Sequence, residues 1–137
     1  MDILTPAARS MRMSLIRSKN TKPERAVRSL VHRMGFRYRL NARGLPGNPD
    51  LVFPSRRKII FVHGCFWHLH RSCPNCRPPK SKRRYWGPKL QGNVRRDAAN
   101  RRQLRRAGWR SLVVWECQIE SDPEAVARRI ARFLGKL

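Results

Sequence analysis

Three histidines and two cysteines fall within eleven positions, in the run His63-Gly64-Cys65-Phe66-Trp67-His68-Leu69-His70-Arg71-Ser72-Cys73. Sulfur and imidazole donors at this density point to a metal. Zinc takes thiolate and imidazole ligands in a closed tetrahedron, and Cys65, His70 and Cys73 supply three of the four. The fourth is either Cys117, which follows a second apolar run ending at Trp115, or Cys76, which would close a short Cys-x-x-Cys turn; spacing does not choose between them. A set of cysteines packed without metal is the alternative, and the clustering of so many soft ligands argues against it. His63 and His68 remain once zinc has its ligands. An imidazole near its ordinary pKa of ~6.5 can take a proton from water or return one to a leaving oxygen, so both are catalytic candidates.

Phosphodiester hydrolysis also requires a carboxylate-held Mg²⁺ to neutralise the phosphate, and acids are scarce here. Asp50 stands out at the exit of Gly44-Leu45-Pro46-Gly47-Asn48-Pro49 and the mouth of an apolar run. Glu24 has capping-box spacing from Thr21, which suffices to explain it, or it assists the metal or water from the first turn of a helix. Ion pairing with nearby arginines is the expected role of Asp97 and Glu116, above any part in chemistry. Phe66, Trp67 and Trp86 are placed to stack on bases or wedge into a duplex, with core packing as the competing account. Arg95, Arg96, Arg101, Arg102, Arg105 and Arg106 include candidate clamps on a phosphate backbone.

Composition supplies the polyanion these residues would act on. The 137 residues carry 32 lysines and arginines against 8 acids, a formal charge of +24. Self-repulsion of that size is tolerated best in a protein that binds nucleic acid. A ribosomal-type structural protein or a membrane-surface binder would share the charge. No apolar run approaches the ~20 residues of a membrane span, and no signal-peptide pattern opens the chain, so a cytoplasmic protein is expected, one in which cysteines serve metal rather than disulfides.

The elements that must position these groups follow from pattern. Residues 1–20 read as a basic arm that orders on DNA, and 21–137 as one domain. Thr21-Lys22-Pro23-Glu24 opens a helix with Val27, Leu30, Val31 and Met34 at helical intervals up to Gly35. Phe36, Tyr38 and Leu40 alternate with arginines and predict a strand. Leu51-Val52-Phe53 and Lys58-Ile59-Ile60-Phe61-Val62 predict a hairpin. Residues 72–84 read as a proline-rich basic loop. A helix from Trp86 to about Gly108 would bury Leu90, Val94 and Leu104; Trp109 to Trp115 forms a strand; and Asp122-Pro123-Glu124 starts a last helix burying Val126, Ile130, Phe133 and Leu134. The order implies an α/β domain with a mixed central sheet flanked by helices.

Leu45-Pro46-Gly47-Asn48-Pro49-Asp50, His63-Gly64-Cys65-Phe66-Trp67-His68 and Trp115-Glu116-Cys117 resemble the motifs of the very-short-patch mismatch-repair endonucleases. The likeness extends over about residues 9–118, including Arg17-Ser18-Lys19-Asn20-Thr21-Lys22-Pro23-Glu24, Tyr85-Trp86 and Asn93-Val94-Arg95-Arg96-Asp97. It implies a restriction-endonuclease-like core, Mg²⁺ at Asp50 with the Val62 carbonyl completing its shell, and His68 as the base that activates water, assisted by His63 and Glu24. It also implies a structural zinc on Cys65, His70, Cys73 and Cys117, intercalation by Phe66, Trp67 and Trp86, and DNA contacts from Asn93, Arg95 and Arg96. The implied reaction nicks one strand beside the thymine of a T:G mispair, leaving a 5′-phosphate. The implied setting is a prokaryotic, nucleoid-associated monomer, working with other mismatch-repair proteins where recruitment is needed. Related nucleases place a second acid and a lysine on the strand after the motif aspartate, where this chain has Phe61-Val62-His63; Cys76 and the loop after it have no counterpart. A nuclease of the same core acting on paired DNA, and a non-catalytic zinc module, are the alternatives.

Overall fold

Thr21 caps the first helix of the computed structural model, which describes residues 21–40, 44–70, 73 and 83–135. Its hydroxyl accepts from the Glu24 backbone N–H at 3.4 Å, and Pro23 sits in the first turn, where a missing N–H costs nothing. This helix, α1 (Lys22–Arg33), buries Val27, Leu30 and Val31 and stops at Gly35, whose φ of 96° suits only glycine comfortably.

The strand expected over Phe36 to Leu40 contracts to one antiparallel bridge between Arg39 and Val52. Continuing that register would set Arg37 opposite Pro54, which has no N–H to donate. Phe36 stays buried, but Leu40 is 38% exposed.

β1 (Leu51–Phe53) and β2 (Lys58–His63) form the expected hairpin, pairing Leu51 with Ile60, Val52 with Ile59 and Phe53 with Lys58. A 3-10 turn over Pro54–Arg56 and Arg57 at φ 53° join them. β3 (Arg110–Trp115) lies parallel to β2, from Lys58 opposite Arg110 to His63 opposite Trp115, so the sheet is mixed, in the order β1-β2-β3. Alternation along β2 divides the core. Ile60 and Val62 pack with Val114 against α1, α3 (Glu116–Ser121) and α4 (Pro123–Leu134), while Ile59 and Phe61 pack with Val52 and Leu104 of α2 (Arg83–Arg106).

One boundary, one face and one short helix differ from expectation. α2 begins at Arg83, so Arg83 and Arg84 are helical rather than loop; residues 74–82 lie outside the described ones. Pro88 is accommodated inside the helix near its start, and the proline-rich, basic composition of the preceding segment had concealed the helical Arg83 and Arg84. Leu90 and Leu104 are buried as expected, but Val94 is 37% exposed and Asn93 takes the inward position. α3 had no sequence signal, because only Ile119 of its six residues is buried and it has no apolar period.

At the C-terminus of α4, Lys58 donates to the Phe133 carbonyl at 2.6 Å and Arg56 to the Leu134 carbonyl at 3.2 Å, which caps the helix with charges suited to its dipole. These contacts fix one end of the sheet. The other end, where His63 and Trp115 stand side by side, is left for the site. No helix among the described residues is long and apolar enough to cross a membrane.

Candidate active site

Cys65 and Cys117 each lie two residues beyond a paired strand end, His63 and Trp115, and the parallel register brings them together. Donor atoms of Cys65, His70, Cys73 and Cys117 all fall within 4.8 Å of one another. His70 Nδ1 is 3.6 Å from Cys65 Sγ and 3.3 Å from Cys117 Sγ. Metal–ligand bonds of ~2.3 Å to sulfur and ~2.0 Å to nitrogen in a tetrahedron separate such atoms by about 3.5 Å, so the donor set fits a four-coordinate metal centre. Burial pushes both the Cys65 and the Cys117 thiol up, and the neighbouring Cys73 thiol adds to this in each case. A bound dication would reverse that balance and hold thiolates. Cys117 therefore completes the cluster among the described residues, while Cys76 lies outside them.

Neighbouring groups steady this cluster. The His70 ring stacks on Trp115 at 4.1 Å and 7°, its backbone N–H donates to the Cys65 carbonyl at 3.0 Å, and the Cys65 N–H donates to Glu116 Oε1 at 3.4 Å. Between the two ligands the chain makes a tight turn, with Leu69 at φ 48° and the His68 N–H donating to the Gly64 carbonyl at 3.2 Å. The turn delivers His68 onto His63, and the rings stack at 3.8 Å and 4°. Trp115 meets both edge-on.

His68 Nδ1 lies 2.5 Å from Asp97 Oδ2, which corrects the expectation that arginines would be the partners of Asp97. Burial pushes the Asp97 carboxyl up, but the hydrogen bond to His68, helped by the electrostatics of the neighbouring imidazoles and Arg101, outweighs it and holds the group below its ordinary range. A carboxylate on Nδ1 fixes that nitrogen as the N–H and leaves Nε2 as the acceptor. His63 is held neutral: burial, then the neighbouring His68, lowers it to about 3. Its Nδ1 is buried without a partner among the described residues. Parallel imidazoles direct their in-plane lone pairs side by side, so this pair suits proton handling better than chelation.

At the same strand end lies Asp50. Its Oδ2 accepts from the Val62 N–H at 2.6 Å, and its own N–H donates to the Ile60 carbonyl at 3.2 Å. Burial raises this carboxyl to about 7; the Val62 N–H lowers it, the Glu24 carboxylate raises it and Arg28 lowers it. Glu24 is buried at 6% exposure with Arg28 at 3.4 Å, so its side chain faces Asp50 and does not close a capping box. Asp50 and Glu24 belong to neither of the groups of three or more convergent donors found among the described residues. Any ion held there draws on main-chain carbonyl, water or substrate oxygen as well.

The DNA-facing expectations divide. Phe66 and Trp67 are half-buried and meet edge-to-face at 4.9 Å, with Lys89 Nζ 5.8 Å from the Trp67 ring. Asn93 is buried: its amide donates to the Trp67 carbonyl at 2.9 Å, and its own carbonyl accepts from Arg96. Both polar ends of Asn93 are engaged within the protein. Arg95, Arg96, Arg102, Arg105 and Arg106 are exposed along α2, whereas Arg101 is half-buried. Trp86 falls in the first turn of α2, with its side chain outside the described residues.

Residues 1–75 match the family described as DNA mismatch endonuclease Vsr. The chain is 35% identical over 137 residues to the DNA mismatch endonuclease Vsr of Escherichia coli, covering 97% of this chain and 87% of that protein. It is 50% identical to the type II nicking enzyme V.XorIIP of Xanthomonas oryzae pv. oryzae, over 97% of this chain and 96% of the relative. It is 42% identical to the type II nicking enzyme V.NmeAIP of Neisseria meningitidis, over 99% and 96% respectively. The chain belongs to the Vsr family. It is accordingly a DNA endonuclease, a hydrolase with the restriction-endonuclease-like α/β fold of Vsr enzymes, and the expected mismatch-repair class holds.

In this Vsr-family site, sequence reasoning passed over the working positions of Asp97, Glu116 and Trp115. Asn93 and Asp97 are four residues apart on α2 and engage the consecutive residues Trp67 and His68. That i, i+4 spacing of polar residues on a basic helix was the available signal.

Proposed function

We propose that this Vsr-family enzyme nicks one strand of duplex DNA beside the thymine of a T:G mispair, the product of 5-methylcytosine deamination, by Mg²⁺-dependent hydrolysis. The observation that carries the mechanism is the His68–Asp97 contact at 2.5 Å beside the Asp50 strand end. With Asp97 accepting from Nδ1–H, His68 Nε2 takes a proton from the attacking water. Water oxygen bonds to phosphorus as the P–O3′ bond breaks, and the leaving oxygen is protonated from solvent, giving a 5′-phosphate and a 3′-hydroxyl. Neutral His63 supports the His68 ring without adding a competing charge.

Asp50, helped by Glu24 and the Val62 carbonyl, would hold Mg²⁺, which supplies charge neutralisation at the scissile phosphate and orientation of the water. Cys65, His70, Cys73 and Cys117 would hold a structural zinc that fixes the turn carrying His68. Phe66, Trp67 and Trp86 open the mispair, where unstacking is least costly, while Asn93 steadies Trp67 and exposed arginines such as Arg95 and Arg96 neutralise backbone. The enzyme acts as a monomer on nucleoid DNA in the cytoplasm, with other mismatch-repair proteins as recruiting partners.

The test is single-turnover cleavage with Mg²⁺ of duplexes differing only in a T:G or T:A pair. Strong preference for T:G is expected, with loss of cutting in Asp50→Ala and His68→Ala proteins. Equal cutting of both duplexes would replace mismatch repair by nicking of paired DNA, and cutting by either variant would remove its residue from the chemistry.

A further inference from the structure

Resting on the assignment of His68 as the base, we infer that Arg101 is a further catalytic residue, its guanidinium binding a non-bridging oxygen of the scissile phosphate. Six arginines were read as backbone clamps along α2, and they are not equivalent. Arg95, Arg96, Arg102, Arg105 and Arg106 are exposed; Arg101 alone of the six is half-buried.

The cause is its position on the helix. Asn93, Asp97 and Arg101 are spaced four residues apart, so they share one stripe of α2, and that stripe faces the turn carrying Trp67 and His68. Arg101 thus lines the cavity of about 320 Å³ that contains His63, His68, His70, Asp97 and Trp115. It is the one permanent cation among the described residues lining it. Asp97, the acid within reach, already carries His68, and no ion pair joins Arg101 to it among the described residues. The guanidinium is close enough to act on both His63 and Asp97 electrostatically.

Chemistry supplies the occupant. Attack by water on a phosphodiester concentrates negative charge on the non-bridging oxygens. A planar guanidinium meets two such oxygens with paired N–H donors, in a cavity where water is partly excluded.

The test compares Arg101→Ala and Arg101→Lys with Arg110→Ala, an exposed arginine of equal charge at the opposite end of β3. Cleavage is measured under single-turnover conditions at saturating protein, with Asp50→Ala and His68→Ala run in parallel. A positioned donor to developing charge is worth about 100-fold. The expected result is a plateau rate about 100-fold lower in Arg101→Ala, with affinity for DNA within about threefold of wild type. Partial recovery on adding guanidinium ion and incomplete rescue by lysine are expected, with Arg110→Ala at the wild-type rate. Methylphosphonate replacement of one non-bridging oxygen at the cleaved linkage should shrink the difference between wild type and Arg101→Ala.

A fall in affinity alone, or an equal fall in Arg110→Ala, overturns the inference and returns Arg101 to the general backbone contacts. A shifted pH profile with an unchanged plateau also overturns it, since that would mean Arg101 only tunes its neighbours. Full cutting by Asp50→Ala and His68→Ala beside a slow Arg101→Ala would sink the assignment of the first two and leave the phosphate contact standing.

Discussion

Replacing Asp50 by asparagine is expected to abolish cleavage and, in the absence of Mg²⁺, to make the fold more stable. The rise of this carboxyl from 3.8 to about 7, chiefly through burial, means that the folded chain holds the proton more tightly than the unfolded chain. Above pH 7 the group is ionised in both states, and the folded state bears the full cost of a half-buried carboxylate beside Glu24. Between pH 7 and 3.8 that cost fades, and below this window it is gone. At about 1.4 kcal/mol per pH unit the ceiling is about 4 kcal/mol, and partial contact with solvent reduces it to about 2 kcal/mol. Asparagine keeps an oxygen to accept the Val62 N–H, so the exchange removes charge without orphaning a donor. The assay is urea unfolding of both proteins at pH 8 and pH 4, in metal-depleted buffer without chelator so that any ion held by the cysteine cluster is retained. The variant should be more stable by about 2 kcal/mol at pH 8 and nearly equal at pH 4, and Mg²⁺ should stabilise only the wild type. His63 titrates alike in both proteins and cancels in the difference. Equal stability at pH 8, or a gap that does not change with pH, would refute the reasoning.

Asp97→Asn should lower the single-turnover rate about 10²- to 10⁴-fold with little change in DNA affinity, because the amide can favour the wrong His68 tautomer; an unchanged rate would leave Asp97 a structural contact. Cys117→Ser should lose the bound metal in elemental analysis and lower the melting temperature, whereas Cys76→Ser should keep one ion per chain; the reverse pattern would exchange their roles. Gly47→Ala should cost about 1–2 kcal/mol, seen as a fall of several degrees in Tm. The φ at Gly47 is +82° and an added Cβ would meet Asn100 at 3.1 Å and Phe61 at 3.2 Å. Gly44→Ala, with similar φ and open space, should cost less.

The groups that sequence exposed best were those whose chemistry leaves few alternatives. Soft ligands crowded into one turn point to a metal-binding cluster, and their donor atoms do converge; Asp50 was conspicuous because acids are rare in so basic a chain. The hairpin and α4 were legible for a related reason: continuous apolar runs and helix capping act locally, and the strands are buried on both faces while α4 buries Val126, Ile130 and Leu134. Phe36 to Leu40 failed as a strand because its partner runs into Pro54, a fact about another segment. Cys117 could not be preferred over Cys76 from spacing alone, since the choice depends on β2 and β3 lying parallel in a register that sets His63 beside Trp115.

The helix α2 was misjudged for a different reason. Its apolar residues are few, so its orientation had to be inferred from Leu90, Val94 and Leu104, which share a face whose edge at Val94 is exposed while Asn93 turns inward. What orients it between those anchors is polar: Asn93 donates to the Trp67 carbonyl, and Asp97 accepts from His68. A buried Asn on such a helix costs free energy unless both its ends are satisfied, and a carboxylate beside an imidazole does so unless they share a proton. The helix is therefore set by its partners in the site and not by the core alone. The same contacts join the aromatic turn to His68, so a displacement of Trp67 bears directly on the helix that holds His68. In the proposed mechanism, mismatch opening and proton transfer would therefore share one rigid support, with the Cys/His cluster at the turn between them.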